Sequence, residues 1–323
     1  MPLRPRHAVI TVLALLSAAL AGGCGASTPS RLHDVTLALD FTPNAVHAPI
    51  YAAVRKGFDR SRGIDLRIRE PGEGPDGLKL VATGRAQLAL LDISDLALAE
   101  QHGVDVVAVA ALVGKPLAAL VAQRGIGRPR NLEHKTVGVS GLPSDPAFLK
   151  AVMQADGGDV RTVHQVTIGF SAVQRLLTGR VAAVPAFWNV EGVALQQRGH
   201  PVDIFKVEDY GAPPYPEVVI VTSRATLAKR RADIRATLAA ISAGVDDVRE
   251  HPAPAAAQIV KAAGAADPKL VAAQLHAVIP TYAPGLRLDR TVLERWARWD
   301  AKVGIVKRRP DIAKAFAFGL TGS

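Results

Sequence analysis

The sequence predicts an α/β protein of two lobes followed by a helical C-terminal region. Three observations carry this expectation. Short apolar or alternating runs recur with helical patterns between them, in two series separated by the Gly/Pro/Arg-rich stretch at 124–131. A second break, Tyr210-Gly211-Ala212-Pro213-Pro214-Tyr215-Pro216, is too rich in proline for a strand and precedes a lone apolar run at 218–221. From Arg224 onward the pattern reads almost wholly helical.

The chain opens on an export signal. Arg4 and Arg6 supply a basic start, and residues 8–20 form an apolar stretch of ~13 residues, short of the ~20 that a spanning helix needs. Ala21-Gly22-Gly23 then run small into Cys24, the only cysteine of the chain. This resembles a bacterial lipobox, although Ala21 stands where leucine is usual. The alternative is an ordinary secretory peptide with an incidental cysteine. Cleavage before Cys24 makes 1–23 the leader and 24–33 a short tether. The remaining chain of about 300 residues suits two lobes better than one.

In the first series, 35–39, 64–69, 87–91, 104–112 and 117–122 read as strands. The intervening helices are 50–55, 78–83 and 96–102, the first two stopped by Gly57 and Gly84. The second series has strands at 136–140, 162–168, 182–187 and 202–207, with helices at 145–155, 172–177 and 190–197. The expected first lobe is therefore 34–123 with 217–323, and the second is 124–216. Helices are expected at 224–248, 255–263, 268–278, 288–303 and 309–316, with Trp296 and Trp299 as core on the fourth.

Four strand ends would face one another in such a protein, which is where open α/β sheets bind ligands. The first is Asp40-Phe41-Thr42-Pro43-Asn44-Ala45-Val46-His47, leading into the helix of Tyr51. It crowds a carboxylate, a ring, an amide and an imidazole into one turn, although Asn44 also suits an Asx-turn and His47 a packing role. The second is Asp92-Ile93-Ser94-Asp95, where Ser94 either caps a helix or offers its hydroxyl to a ligand. The third is Gly138-Val139-Ser140-Gly141-Leu142-Pro143-Ser144-Asp145. Its backbone N–H groups, at Ser140 and Gly141 in particular, are suited to an anion or a polar ring edge, and Ser144 or Asp145 to capping. It matches no P-loop. The fourth is Phe187-Trp188-Asn189-Val190-Glu191-Gly192, with a ring for stacking and Glu191 either at a helix dipole or on the ligand.

The Asp40 to Tyr51 run and the Asn-Val-Glu-Gly run resemble those of bacterial solute-binding proteins related to the thiamine-pyrimidine synthase family. The resemblance covers about residues 34 to 245. It implies a two-lobe fold of the type II periplasmic binding protein kind, with a helical C-terminal region. It implies an extracytoplasmic, lipid-anchored component of an ABC importer, not an enzyme and without a cofactor. The ligand it implies is a thiamine-pathway pyrimidine, hydroxymethylpyrimidine or formylaminopyrimidine, whose amino edge Glu191 would accept. The ligand-binding residues so expected are Asp40, Phe41, Asn44, His47, Tyr51, Ser94, Ser140, Gly141, Trp188, Asn189 and Glu191, with Cys24 as the lipid anchor. Expected partners are the solute and a membrane permease, with the protein itself a monomer. Relatives that bind riboflavin, nitrate or sulfonates supply the alternatives, and the synthase itself supplies the enzymatic one. Against the last, the synthase has a cysteine-rich iron segment, and here the one cysteine lies at residue 24.

The formal charge of +10 raises nucleic acid as a partner. The basic residues are scattered among acids, however, and no nucleic-acid motif is present. Lys229-Arg230-Arg231 and Lys307-Arg308-Arg309 are read as solvated faces. The histidines show no metal-ligand spacing.

Overall fold

The computed structural model describes residues 31–72, 76–264 and 266–322. The expected leader and Cys24 lie outside the described residues. From Leu32 the chain packs as one unit built on two mixed five-stranded sheets.

The first sheet is laid down by β1 (His33–Ala38), α1 (Ala48–Arg55), β2 (Ile64–Arg69), α2 (Gly77–Ala82), β3 (Leu88–Asp92), α3 (Ile93–Gln101) and β4 (Val106–Ala111). The second is laid down by β5 (Ala118–Gln123), β6 (Thr136–Val139), α4 (Asp145–Ala155), β7 (His164–Thr167), α5 (Ala172–Leu177), β8 (Ala183–Phe187), α6 (Val193–Gln197) and β9 (Val202–Lys206). The chain then returns as β10 (Val218–Ser223), with the strand order β2-β1-β3-β10-β4 in one sheet and β7-β6-β8-β5-β9 in the other. Each sheet has parallel pairs, β1 with β2 and β3, and β6 with β7 and β8. Each also has one strand antiparallel to both neighbours, β10 and β5 respectively. That strand is the one formed directly after a crossing, so the two sheets share one plan.

This corrects the expected first boundary at 123/124. The sequence pattern puts strand β5 in the first lobe, but it pairs with β8 and β9 of the second sheet, and the crossing falls between β4 and β5. The Gly-rich stretch that suggested a crossing is a turn inside the second half. The backbone N–H groups of Gly125 and Gly127 donate to one carboxylate oxygen of Asp203 on β9, at 3.0 and 2.7 Å. The return at β10 follows the proline-rich break as expected.

The C-terminal region is helical: α7 (Arg224–Glu250), α8 (Pro252–Ala262), α9 (Pro268–Val278), α10 (Arg290–Val303) and α11 (Ile312–Ala315). Helix α7 leaves helical geometry at Arg230 and packs along α1. Asp289 caps α10 by accepting from the backbone of Thr291 and Val292, and Gly304 closes it. Its inner face, Leu293, Trp296 and Ala297, enters a core shared with Val219 and Val221 of the first sheet and Leu120 and Ala122 of the second. The C-terminal region thus seals both halves. The expectation placed all of it on the first lobe.

Candidate functional site

A cavity of about 350 Å³ lies where the carboxyl ends of β1, β3, β6 and β8 converge. Its position follows from the topology. Parallel neighbours connected by crossover helices diverge beyond their carboxyl ends, and two such sheets facing each other enclose the space. Of the expected residues, Asp40, Phe41, Asn44, His47, Ser94, Ser140, Gly141 and Glu191 line it. Phe148, Phe187 and Tyr215 add rings to the wall.

The first segment is a self-supporting turn. Asn44 accepts from the Val46 N–H (2.9 Å) and donates to the Thr42 carbonyl (3.0 Å), so both ends of its amide are used. The Asn44 backbone N–H approaches His47 Nδ1 at 3.2 Å. A backbone N–H can only donate, so Nδ1 is the acceptor and the ring proton sits on Nε2. Nε2 then donates to Asp40 Oδ1 at 2.8 Å. Fully buried His47 has both nitrogens engaged by the protein. It holds Asp40 by one oxygen, and Asp40 itself lines the cavity.

The third segment departs from expectation. Its N–H groups are not open to an anion, because the Asp145 carboxylate fills them from within. Asp145 Oδ2 accepts from Ser140 N (2.6 Å), Ser140 Oγ (2.8 Å) and Gly141 N (3.3 Å). Gly141, at φ of +100°, gives the turn its reach without a Cβ penalty. Ser144 makes no side-chain cap.

In the fourth segment a five-residue π-turn, Trp188–Gly192, follows β8 and swings Glu191 inward. Glu191 Oε2 accepts from Phe187 N at 3.1 Å, and burial pushes its carboxyl up to about 7. Three expected contacts are not in the wall. Tyr51 turns outward to donate to Glu70 (3.2 Å). The Trp188 indole N–H donates to the Pro116 carbonyl (3.3 Å), and Lys206 Nζ lies 4.2 Å from its ring centroid. Asn189 is fully buried beneath the turn. Ser94 lies inside the first turn of α3 and donates to Asp300 (3.4 Å) rather than capping.

The wall holds further carboxylates that sequence reasoning did not assign to a ligand: Asp92, Asp95, Asp145 and Glu217. Burial raises all four, with mutual repulsion adding at Asp92 and Asp95, and Asp95 and Glu217 reach about 7. Asp92 ends β3 as Asp40 follows β1, so the strand-end rule that singled out Asp40 applied to it equally. Glu217 carried no such signal. Its Oε2 accepts from Leu117 N (2.6 Å), Ala118 N (2.8 Å) and the Tyr215 hydroxyl (3.3 Å), tying the two crossings together. Asp95 Oδ1 accepts from Ser144 N at 3.0 Å, a bond from α3 of the first half to the second. Against these carboxylates the described lining residues include one lysine, the exposed Lys79. Such a wall favours ligands rich in N–H donors and opposes anions.

The family sequence model described as NMT1/THI5 like matches residues 44–255. A formylaminopyrimidine-binding protein of Halalkalibacterium halodurans is 35% identical over 217 residues, which is 66% of this chain and 66% of that protein. Among solved structures, the alkanesulfonate-binding protein SsuA from Xanthomonas axonopodis pv. citri, bound to MOPS, superposes with a TM-score of 0.71 at 13% identity, covering 88% of this chain and 98% of that one. The periplasmic aliphatic sulphonate binding protein SsuA from Escherichia coli gives a TM-score of 0.69 at 18% identity, covering 87% and 91%. At these identities the likeness to both structures is one of fold, that of the periplasmic binding proteins.

Proposed function

The chain belongs to the NMT1/THI5-like family, and from that premise we propose that it is the extracytoplasmic solute-binding component of an ABC importer, with a thiamine-pathway pyrimidine as its cargo. The observation that carries the reading is the cavity wall. The carboxylates Asp40 and Glu191 and the aromatic residues Phe41, Phe148 and Phe187 line a space of about 350 Å³, fit for one small planar molecule. An aminopyrimidine offers N–H donors along one edge and a flat apolar body, and a carboxylate accepts from an amino-substituted edge with charge-assisted bonds. The same wall argues against nitrate and sulfonates, because Asp145 occupies the turn an anion would use. Riboflavin, a larger flat heterocycle, remains the second reading only through its shared ring chemistry. The family's enzymatic branch has less support, since both nitrogens of His47 are already engaged in orienting Asp40. The lipid anchor at Cys24 and the membrane permease as partner belong to the same proposal.

A thermal-shift panel tests it on protein freed of co-purified ligand. Hydroxymethylpyrimidine or formylaminopyrimidine at ~100 times its dissociation constant adds about 2.7 kcal/mol to the native state, whereas taurine and nitrate add nothing. Stabilisation by an anion and by no pyrimidine would overturn the reading.

A further inference from the structure

The strand order places the two crossings on one side of the molecule. Strand β4 leads into β5, and β9 returns as β10, so both crossings join the β10–β4 end of the first sheet to the β5–β9 end of the second. Strands β1 and β7 lie towards the opposite ends of their sheets. The turns that follow them therefore meet on the side of the cavity away from the crossings. Each turn carries a phenylalanine three residues beyond its strand, Phe41 after Ala38 and Phe170 after Thr167. The two ring centroids are 4.2 Å apart, at an interplanar angle of 59°. The Asp95–Ser144 hydrogen bond also joins the halves, but from strands that lie inside the sheets, β3 and β6.

Neither ring belongs to a loose segment. Phe41 sits in the turn that Asn44 and the His47–Asp40 bond hold on the first half. Phe170 sits in a tight turn on the second half, where Ser171 donates to the Ile168 carbonyl from its backbone N–H (3.3 Å) and from its hydroxyl (2.6 Å). The ring contact is thus a contact between the halves. Phe41, Ile168, Gly169 and Ala172 line the cavity, whereas Phe170 is not among the described lining residues. Phe170 therefore backs Phe41 from outside the cavity, and both side chains are half-buried.

We infer that Phe41 and Phe170 form a latch that fastens the two halves across the mouth of the cavity, and that Phe170 sets how long a solute stays without touching it. The latch presupposes the solute-binding reading of the cavity, because its role is to part for entry and to re-form behind the solute. An aromatic pair shifts an equilibrium by roughly two- to tenfold beyond the effect of its buried area. That is enough to favour closure and little enough to be broken in every cycle.

The test is the stopped-flow dissociation of hydroxymethylpyrimidine and formylaminopyrimidine from wild type, Phe170→Leu and Phe170→Ala. Phe41 is left unchanged because it lines the cavity. Phe170→Ala is expected to raise both dissociation rates by a common factor of roughly two- to tenfold, without slowing association. Phe170→Leu keeps an apolar side chain but no ring, and a smaller rise is expected. It carries the comparison if circular dichroism shows Phe170→Ala to be unfolded. Unchanged dissociation in the folded variants, or a rise for one pyrimidine alone, would overturn the latch. Small-angle scattering of ligand-free protein separates the latch from the cargo. A larger radius of gyration in the folded variants than in wild type, with no binding of either pyrimidine, would sustain the latch and reject the pyrimidine. Equal radii with no binding would reject both.

Discussion

At the scale of single residues, the molecule spends stability on its cavity. Burial lifts Asp95, Glu191, Glu217 and Asp300 to about 7, and it raises Asp92 well above the usual carboxylate range. A carboxyl whose native value lies above its unfolded one binds its proton more tightly in the folded state. Stability therefore falls as pH rises from about 4.5 towards and beyond 7. The carboxylates held low by arginine, Asp156 with Arg128 and Asp159 with Arg161, act in the opposite direction but titrate below this window. The ligand-free protein is thus expected to melt at a higher temperature near pH 5.5 than near pH 8, and a melting temperature that rises steadily from 5.5 to 8 would contradict it. His47 illustrates what one sequence can and cannot disclose. Its presence in the strand-end turn was legible, but its role was not. Which nitrogen accepts depends on a backbone N–H three residues away, and that is a fact of folded geometry.

At the scale of elements, the site is held by the packing of α1 on α7. Gly244 of α7 lies against α1 so closely that an added Cβ would overlap the Pro49 carbonyl oxygen and sit 3.2 Å from the Ala53 nitrogen. Helix α1 begins directly after His47, so displacing it displaces the Asp40 turn. Gly244→Ala is expected to cost about 1–3 kcal/mol by overpacking, or roughly 2–4 °C of melting temperature per kcal/mol in a chain of this size. It should also weaken ligand binding although it touches no ligand. An unchanged melting temperature would show that the helices separate freely. Elements were the most legible part of the sequence. Strand 64–69 and helices 145–155, 172–177 and 268–278 fall where periodicity and caps placed them. The misplaced crossing has a physical cause. Gly125 and Gly127 form a turn pinned by Asp203, a partner 76 or more residues away, whereas the true crossing carries the weaker punctuation Gly114-Lys115-Pro116.

At the scale of the whole molecule, two sheets of one plan are joined by two crossings that Glu217 clasps together, and Asp95 reaches across to Ser144. Two halves joined by two crossings are a geometry that permits hinge motion between them. The two-sheet plan followed from alternating patterns and two breaks. The acidic character of the cavity did not, because the Asp92–Asp95 pair, Asp145 and Glu217 are distant from one another in sequence and the chain as a whole is basic. Their convergence follows from strand order, and it is what sets the proposed amino-heterocycle site apart from a site for an anion. The most direct test of that distinction is a calorimetric titration of ligand-free protein with hydroxymethylpyrimidine and formylaminopyrimidine, repeated on Glu191→Gln. Saturable binding of one or both is expected, weakened by about 1.5–3 kcal/mol in the variant, as for loss of a charged hydrogen-bond partner. Wild-type protein that binds neither pyrimidine, or a Glu191→Gln variant that binds as tightly as the wild type, would contradict it.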